Sequence, residues 1–265
     1  MSELLDLAFA RMCADWISTV DSMYIDSGTL LRPALPTPPV DPRISEYAIR
    51  AHISMMGIDG VRRFYGVLVQ HREDLGDFVL ALHGTRSAAD YAANAAFLSR
   101  PLHEVPFAGR VQGGWHRLFA SAIVMDSENV LPHDTHSEFV RDVNALIRHH
   151  AGDAEPRLTI TGHSLGAAVL TLFVVHNSST PETIKPSRVC TFASPMVGDA
   201  DFVARYEECE IDTWRVVVDR DTVPKLPGTT LGYRHVGAEH LLVLADARKS
   251  MRGVHALRTY RDLLG

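Results

Sequence analysis

The join at residues 157–166 constrains this chain more than any other feature. The short apolar run Arg157–Thr161 passes directly into Gly162-His163-Ser164-Leu165-Gly166, and Gly166 to Val175 then reads as an apolar helix. A run of that length bounded by glycine reads as a buried strand, and an apolar helix beyond it needs cover on more than one side. Val189–Phe192 and Thr213–Val218 continue the strand signal downstream, while Phe64–Gln70 and Asp77–Leu82 read as neighbouring strands upstream. Strands separated by helical stretches predict an α/β fold, with a mostly parallel central sheet flanked by helices. Thr135 and Glu138 form a capping box for a further helix, whose apolar positions are Phe139, Val143, Leu146 and Ile147 and which ends near Gly152.

Ahead of this region, Leu5, Phe9, Met12, Trp16 and Val20 recur at spacings of three and four, which predicts a helix with one apolar face. Pro33, Pro36, Pro38, Pro39 and Pro42 follow and forbid helix or interior strand, so they read as an extended connector. The expected organisation is therefore an N-terminal arm over residues 1–45, folded back on a main domain over 46–265. Some 30 residues make a poor core alone.

Composition excludes several classes. Of 265 residues, 46% are hydrophobic and 22% charged, a globular mix. No apolar run reaches the roughly 18 residues of a transmembrane segment. The net charge is −6 without a dense Lys/Arg run, so no nucleic-acid surface is expected. Cys13, Cys190 and Cys209 are odd in number and widely spaced, which argues against a disulfide framework. The acidic start Met1-Ser2-Glu3 lacks a basic signal region and favours the cytoplasm, a removed secretory signal being the alternative.

Gly162 to Gly166 is a G-x-S-x-G pattern, which arises by chance in about one chain in twelve of this composition. Its context is more telling than the pattern, because a strand precedes it and a helix follows. A sharp turn there would lift the Ser164 hydroxyl above the sheet, and the flanking glycines would let neighbouring backbone approach. A serine nucleophile needs a base, usually a histidine oriented by a carboxylate. In this kind of site the acid and then the histidine follow the serine. Asp219 and Asp221, just past the strand ending at Val218, are rivals for the acid, with Asp221 further into the loop. Among the 14 histidines only His235, His240 and His255 lie downstream. His235 reads as a strand residue, His240 precedes the run Leu241–Leu244, and His255 stands at the mouth of a closing helix, where a polar imidazole suits best.

Several stretches together resemble the class 3, fungal-lipase-like branch of the α/β-hydrolases. Gly162–Gly166 resembles its GHSLG elbow, Thr191–Gly198 its TFGSPRVG stretch and Asp221–Pro227 its DxVPxLP segment. His255 with Tyr260 is similar to its terminal HxxY-type region, the tyrosine standing two residues later. Leu82–Ser87 resembles its oxyanion loop, with His83 where arginine is common. The resemblance spans about residues 64–261. It implies a triad of Ser164, Asp221 and His255, with Thr85 and Leu165 forming the oxyanion hole. The sequence departs from the family at Asn94, where an aspartate often anchors the oxyanion residue, at Asp90-Tyr91 in place of Asp-Trp, and at Gln112 and Trp115 in its VHxGF turn.

Residues 87–110 follow the oxyanion loop, where family lids arise. Ala88–Arg100 reads as helical, Pro101 as its end, and the segment as either a mobile lid or fixed cover. His163, Trp115, Phe97 and Phe107 are the candidates for substrate contact. His133, Asp134, His136 and Glu138 are better explained as a helix cap and first turn than as a metal site. The reading is a serine carboxylic-ester hydrolase, a triacylglycerol lipase or esterase, acting on a lipid or apolar ester through an acyl-enzyme and without a cofactor. Phospholipase, feruloyl-type esterase and acyltransferase chemistry on the same triad are the alternatives.

Overall fold

A computed structural model describes residues 4–27, 30–37, 39–57, 59–84, 99–106, 108–131, 138–245 and 249–265. Ten strands are present among them: β1 (Tyr47–Met56), β2 (Arg62–His71), β3 (Asp77–Leu82), β4 (Ser99–Pro101), β5 (Arg110–Gln112), β6 (Ile123–Asp126), β7 (Arg157–His163), β8 (Pro186–Phe192), β9 (Asp212–Val218) and β10 (Ala238–Leu242). The helices are α1 (Leu7–Ser27), α2 (Gly113–Ala120), α3 (Phe139–Ala151), α4 (Leu165–Ser179), α5 (Ala200–Glu207), α6 (Met251–His255) and α7 (Leu257–Leu264).

Eight strands form one sheet in the order β10-β9-β8-β7-β3-β2-β1-β6, and β4 pairs with β5 as a separate ribbon. β3, β7, β8, β9 and β10 run parallel. β2, β1 and β6 extend the β3 edge antiparallel. The inner parallel strands β3, β7, β8 and β9 are largely apolar and buried because helices cover both faces, whereas the edge strand β10 is mostly exposed. On one face Leu165, Val169, Leu172 and Phe173 of α4 pack with Val143 and Leu146 of α3 and Leu118 of α2. On the other, Trp16, Val20 and Met23 of α1 pack on Phe64, Val67 and Val79, and Cys13 and Ile17 pack with Cys190, Phe192 and Val216. α7 closes the same face against α1, where Arg261 pairs with Asp15 at 2.7 Å and Arg11 Nε donates to the Leu264 carbonyl at 2.7 Å. All three cysteines are buried free thiols.

The structure departs from the sequence reading in several places. β1 and β6 were not anticipated. Their buried polar residues, among them Ser54 and Asp126, mask the apolar alternation. Helix α3 starts at Phe139 with Glu138 at its N-cap and no side-chain cap bond, so Glu138 does not stand at the third helical position that a capping box requires. Thr135 lies outside the described residues, as do His133, Asp134 and His136. Ser99, Arg100 and Pro101 belong to strand β4 rather than to a helix, because they find a partner in β5. In the described part of the 87–110 segment, Leu102, Val105 and Ala108 are buried in the main core, which makes that part packed cover rather than an exposed apolar face. His235 lies in a loop, and the strand begins at Ala238.

Candidate active site

Ser164 follows the last residue of β7 and stands at the N-cap of α4, with φ +53° and ψ −117°. A non-glycine residue in such a conformation is strained and persists only where its surroundings hold it. Here the Ser164 N–H donates to the Phe192 carbonyl at 2.9 Å, and its own carbonyl accepts from Ala168 N–H at 3.1 Å. The turn is tight enough to require glycine beside it. A Cβ at Gly166 would lie 2.6 Å from the carbonyl oxygens of Leu82 and His83, and one at Gly84 would lie 3.0 Å from Ser164 Cβ.

The candidate acid, Asp221, lies in the loop after β9. Asp221 closes a turn with its N–H on the Val218 carbonyl at 2.9 Å and is 1% exposed. Its Oδ1 accepts from Val223 N–H at 2.9 Å, and its Oδ2 accepts from Tyr260 O–H at 2.6 Å and His255 Nδ1–H at 2.8 Å. Burial alone would raise this carboxyl, but the His255 hydrogen bond and charge, with the Tyr260 and Val223 donors, hold it below the usual aspartate range. The Tyr260 phenol is pushed far up, first by burial and then by the Asp221 charge, so it remains a donor at any working pH. Asp219 is held elsewhere: its N–H donates to the carbonyl of Leu242, the last residue of β10, and its Oδ1 accepts from Leu244 N–H just beyond that strand.

His255 is the last residue of α6, which Ser250 caps through Gly253 N–H at 3.2 Å. Ala256 is extended at φ −64° and ψ 134°, and α7 restarts at Leu257. This break turns the imidazole toward the elbow, where the Ser164 hydroxyl donates to His255 Nε2 at 2.9 Å. A hydroxyl, an imidazole and a buried carboxylate thus form one hydrogen-bonded chain, able to draw a proton from Ser164 and stabilise the resulting imidazolium. Leu165 opens α4, so its N–H has no intrahelical acceptor and is available to a developing anion.

The other expected site residues divide. Thr85, Phe97 and Phe107 lie outside the described residues. Trp115 is 3% exposed within the main core, its N–H capped by Gln112 Oε1 at 2.7 Å. His163 is buried, and its Nε2 bonds the His255 backbone carbonyl at 2.9 Å. His240 sits on β10, and His235 meets the Pro224 carbonyl. Sequence reasoning left Tyr260 without a site role, although its position in the terminal motif pointed there. A cavity of about 490 Å³ adjoins the base, lined in part by Asp21, His83, Gly84, His163, Arg252 and His255. Among the described residues no group of His, Cys, Asp and Glu side chains could hold a metal ion.

A nucleophile elbow between a strand and a helix, an acid past a later parallel strand and a histidine further on define the α/β-hydrolase class. The chain belongs to the class 3 lipase family, whose residue pattern matches residues 79–231. It is 28% identical over 217 residues to phospholipase A1-Ialpha2 of Arabidopsis thaliana, across 71% of this chain and 44% of that protein. It is 37% identical over 83 residues to secreted mono- and diacylglycerol lipase A of Penicillium cyclopium, across 31% of this chain and 26% of that one. The chain therefore spans less than half the length of these relatives. The structure of Rhizomucor miehei triacylglyceride lipase superposes with a TM-score of 0.66 at 20% identity, over 89% of this chain and 78% of that one, a likeness of fold.

Proposed function

We propose that the chain is a serine carboxylic-ester hydrolase that cleaves acylglycerols or related apolar esters. The observation that carries this reading is the continuous chain from Ser164 through His255 to Asp221, at 2.9 and 2.8 Å. In this scheme Ser164 Oγ attacks the ester carbonyl carbon while His255 Nε2 takes its proton. The tetrahedral oxyanion forms against the Leu165 N–H, a contribution of the kind that supplies about 10²–10³ in rate. His255 then returns the proton to the leaving alkoxide, and water resolves the acyl-enzyme by the same steps. Asp221 fixes the imidazole tautomer throughout, and Tyr260 fixes Asp221.

Ser164→Ala is expected to lower kcat on p-nitrophenyl esters by about 10⁶-fold with the unfolding midpoint retained. Residual turnover above a hundredth of wild type would remove Ser164 from the role. A phospholipase A1 is the second reading, supported by the name of the Arabidopsis relative. Initial rates on sn-1-acyl phospholipid against triacylglycerol emulsions decide between them.

A further inference from the structure

His163 lies inside the elbow but takes no part in the proton path. It is the last residue of β7, paired in register with Phe192, and is 8% exposed. Its Nε2 is 2.9 Å from the backbone carbonyl oxygen of His255. A carbonyl only accepts, so the His163 proton sits on Nε2 and the lone pair on Nδ1. That carbonyl belongs to the last residue of α6, where helix geometry leaves it without an intrahelical donor. His163 supplies the missing donor from the strand that carries the nucleophile. Its ring also packs tilted against the His255 ring, with centroids 4.8 Å apart and planes 36° apart, and lies edge-on to the Tyr260 ring at 6.0 Å.

The other edge of the same ring meets the oxyanion-loop side of the site. A Cβ at Gly84 would approach His163 Nδ1 to 2.9 Å, so the strand end leading into the loop is packed directly on this nitrogen. One imidazole therefore spans two segments distant in sequence, the backbone at Gly84 and the backbone at His255. The charged and titratable groups facing it are His255, Asp221 and His83. Burial first, then the His255 charge, pushes His163 down to about 3, so it stays neutral at neutral pH, with its one proton assigned to Nε2 by the carbonyl it meets.

On the triad reading above, we infer that His163 is a positioning residue that fixes the general base, His255, against Ser164 by anchoring its backbone, rather than a residue that touches substrate. The displacement it prevents is small in distance and large in rate, since about 1 Å of misplacement of a catalytic group costs about 10²-fold.

The test compares His163→Phe, which keeps a planar ring without a donor, with His163→Gln, whose amide N–H reaches from the same position. The readouts are kcat and KM on p-nitrophenyl butyrate, the rate of fluorophosphonate labelling, and the low-field proton resonance of His255 Nδ1–H. His163→Phe is expected to lower kcat and the labelling rate by about 10²-fold with KM within twofold, and to shift or broaden that resonance. His163→Gln is expected to recover both rates to within about fivefold of wild type and restore the resonance. If the Phe variant does not fold, His163→Met carries the same comparison. The inference is overturned if a folded donor-less variant keeps kcat within threefold and the resonance unchanged, or if Gln fails as deeply as Phe. Absence of labelling in the wild type would instead overturn the triad, and the inference with it.

Discussion

The sheet has two halves of different character. In the parallel half, β3 and β7 to β10, the ends of three strands meet at the candidate site: Gly84 follows β3, Ser164 follows β7 and Asp221 follows β9. In the antiparallel half, β1, β2 and β6 deliver none of these groups, yet they bury polar residues of their own. Gln70 on β2 is fully enclosed. Its Nε2 donates to the Leu75 and His150 carbonyls at 2.6 and 2.9 Å, and its Oε1 accepts from Arg50 Nε at 2.9 Å. Both halves spend buried polarity, but on different ends. In one it holds reactive groups at aligned strand termini, the expected place for a site in an α/β sheet. In the other it ties β2 to its neighbour β1, to the turn after it and to the end of helix α3.

The contrast can be broken by mutation. Asp221→Asn should cost about 10⁴-fold in kcat with little change in fold, because an amide can present N–H to Nδ1 and reverse the imidazole tautomer. A fall of less than tenfold would detach the parallel half from the chemistry. Gln70→Leu should do the opposite: about 3 kcal/mol of stability lost, from unpaired buried carbonyls and guanidinium, with turnover per folded molecule unchanged. Urea midpoints and active-site titration read both quantities.

Acid should act next. Burial pushes His163 down to about 3, and His176 and His235 to about 4, so the folded chain holds them neutral. The unfolded chain protonates them near 6.5, and so binds more protons as pH falls. Stability should therefore drop below about pH 6.5 and continue falling to about pH 4, by up to about 1.4 kcal/mol per pH unit for each histidine. His176→Leu should flatten that slope, measured as urea midpoints at neutral and acid pH. Asp221 has the ordinary carboxylate sign. Its contribution is complete above about pH 4 and is lost as pH falls through its lower folded value. The smallest effect is expected at Asp219→Asn, whose carboxylate holds the backbone at Leu244 just past β10: activity within about twofold of wild type. A large loss there would return the acid to dispute.

The halves also differ in how far the sequence reveals them. β3, β7, β8 and β9 announce themselves as apolar runs, because both their faces are covered. β1 does not, since His52 and Ser54 are buried along it, with His52 Nε2 held 2.9 Å from the Pro33 carbonyl of another segment. No local pattern encodes a partner so far along the chain. Ser164 is legible because the elbow compresses strand, turn and helix into five residues. Position alone leaves Asp219 and Asp221 as rivals; the family resemblance points to Asp221, and the fold ties Asp219 to β10 and the residues just beyond it. The bond between His163 and His255 joins residues 92 positions apart and leaves no trace in spacing.

The helix pair carrying His255 and Tyr260 lies downstream of every strand and docks on α1, upstream of all of them. On a translating ribosome, the sheet, the elbow and Asp221 are all made before the base exists. On the proposed reading, a nascent chain would hold the nucleophile and the acid without their partner imidazole until α6 and α7 emerge and pack against α1.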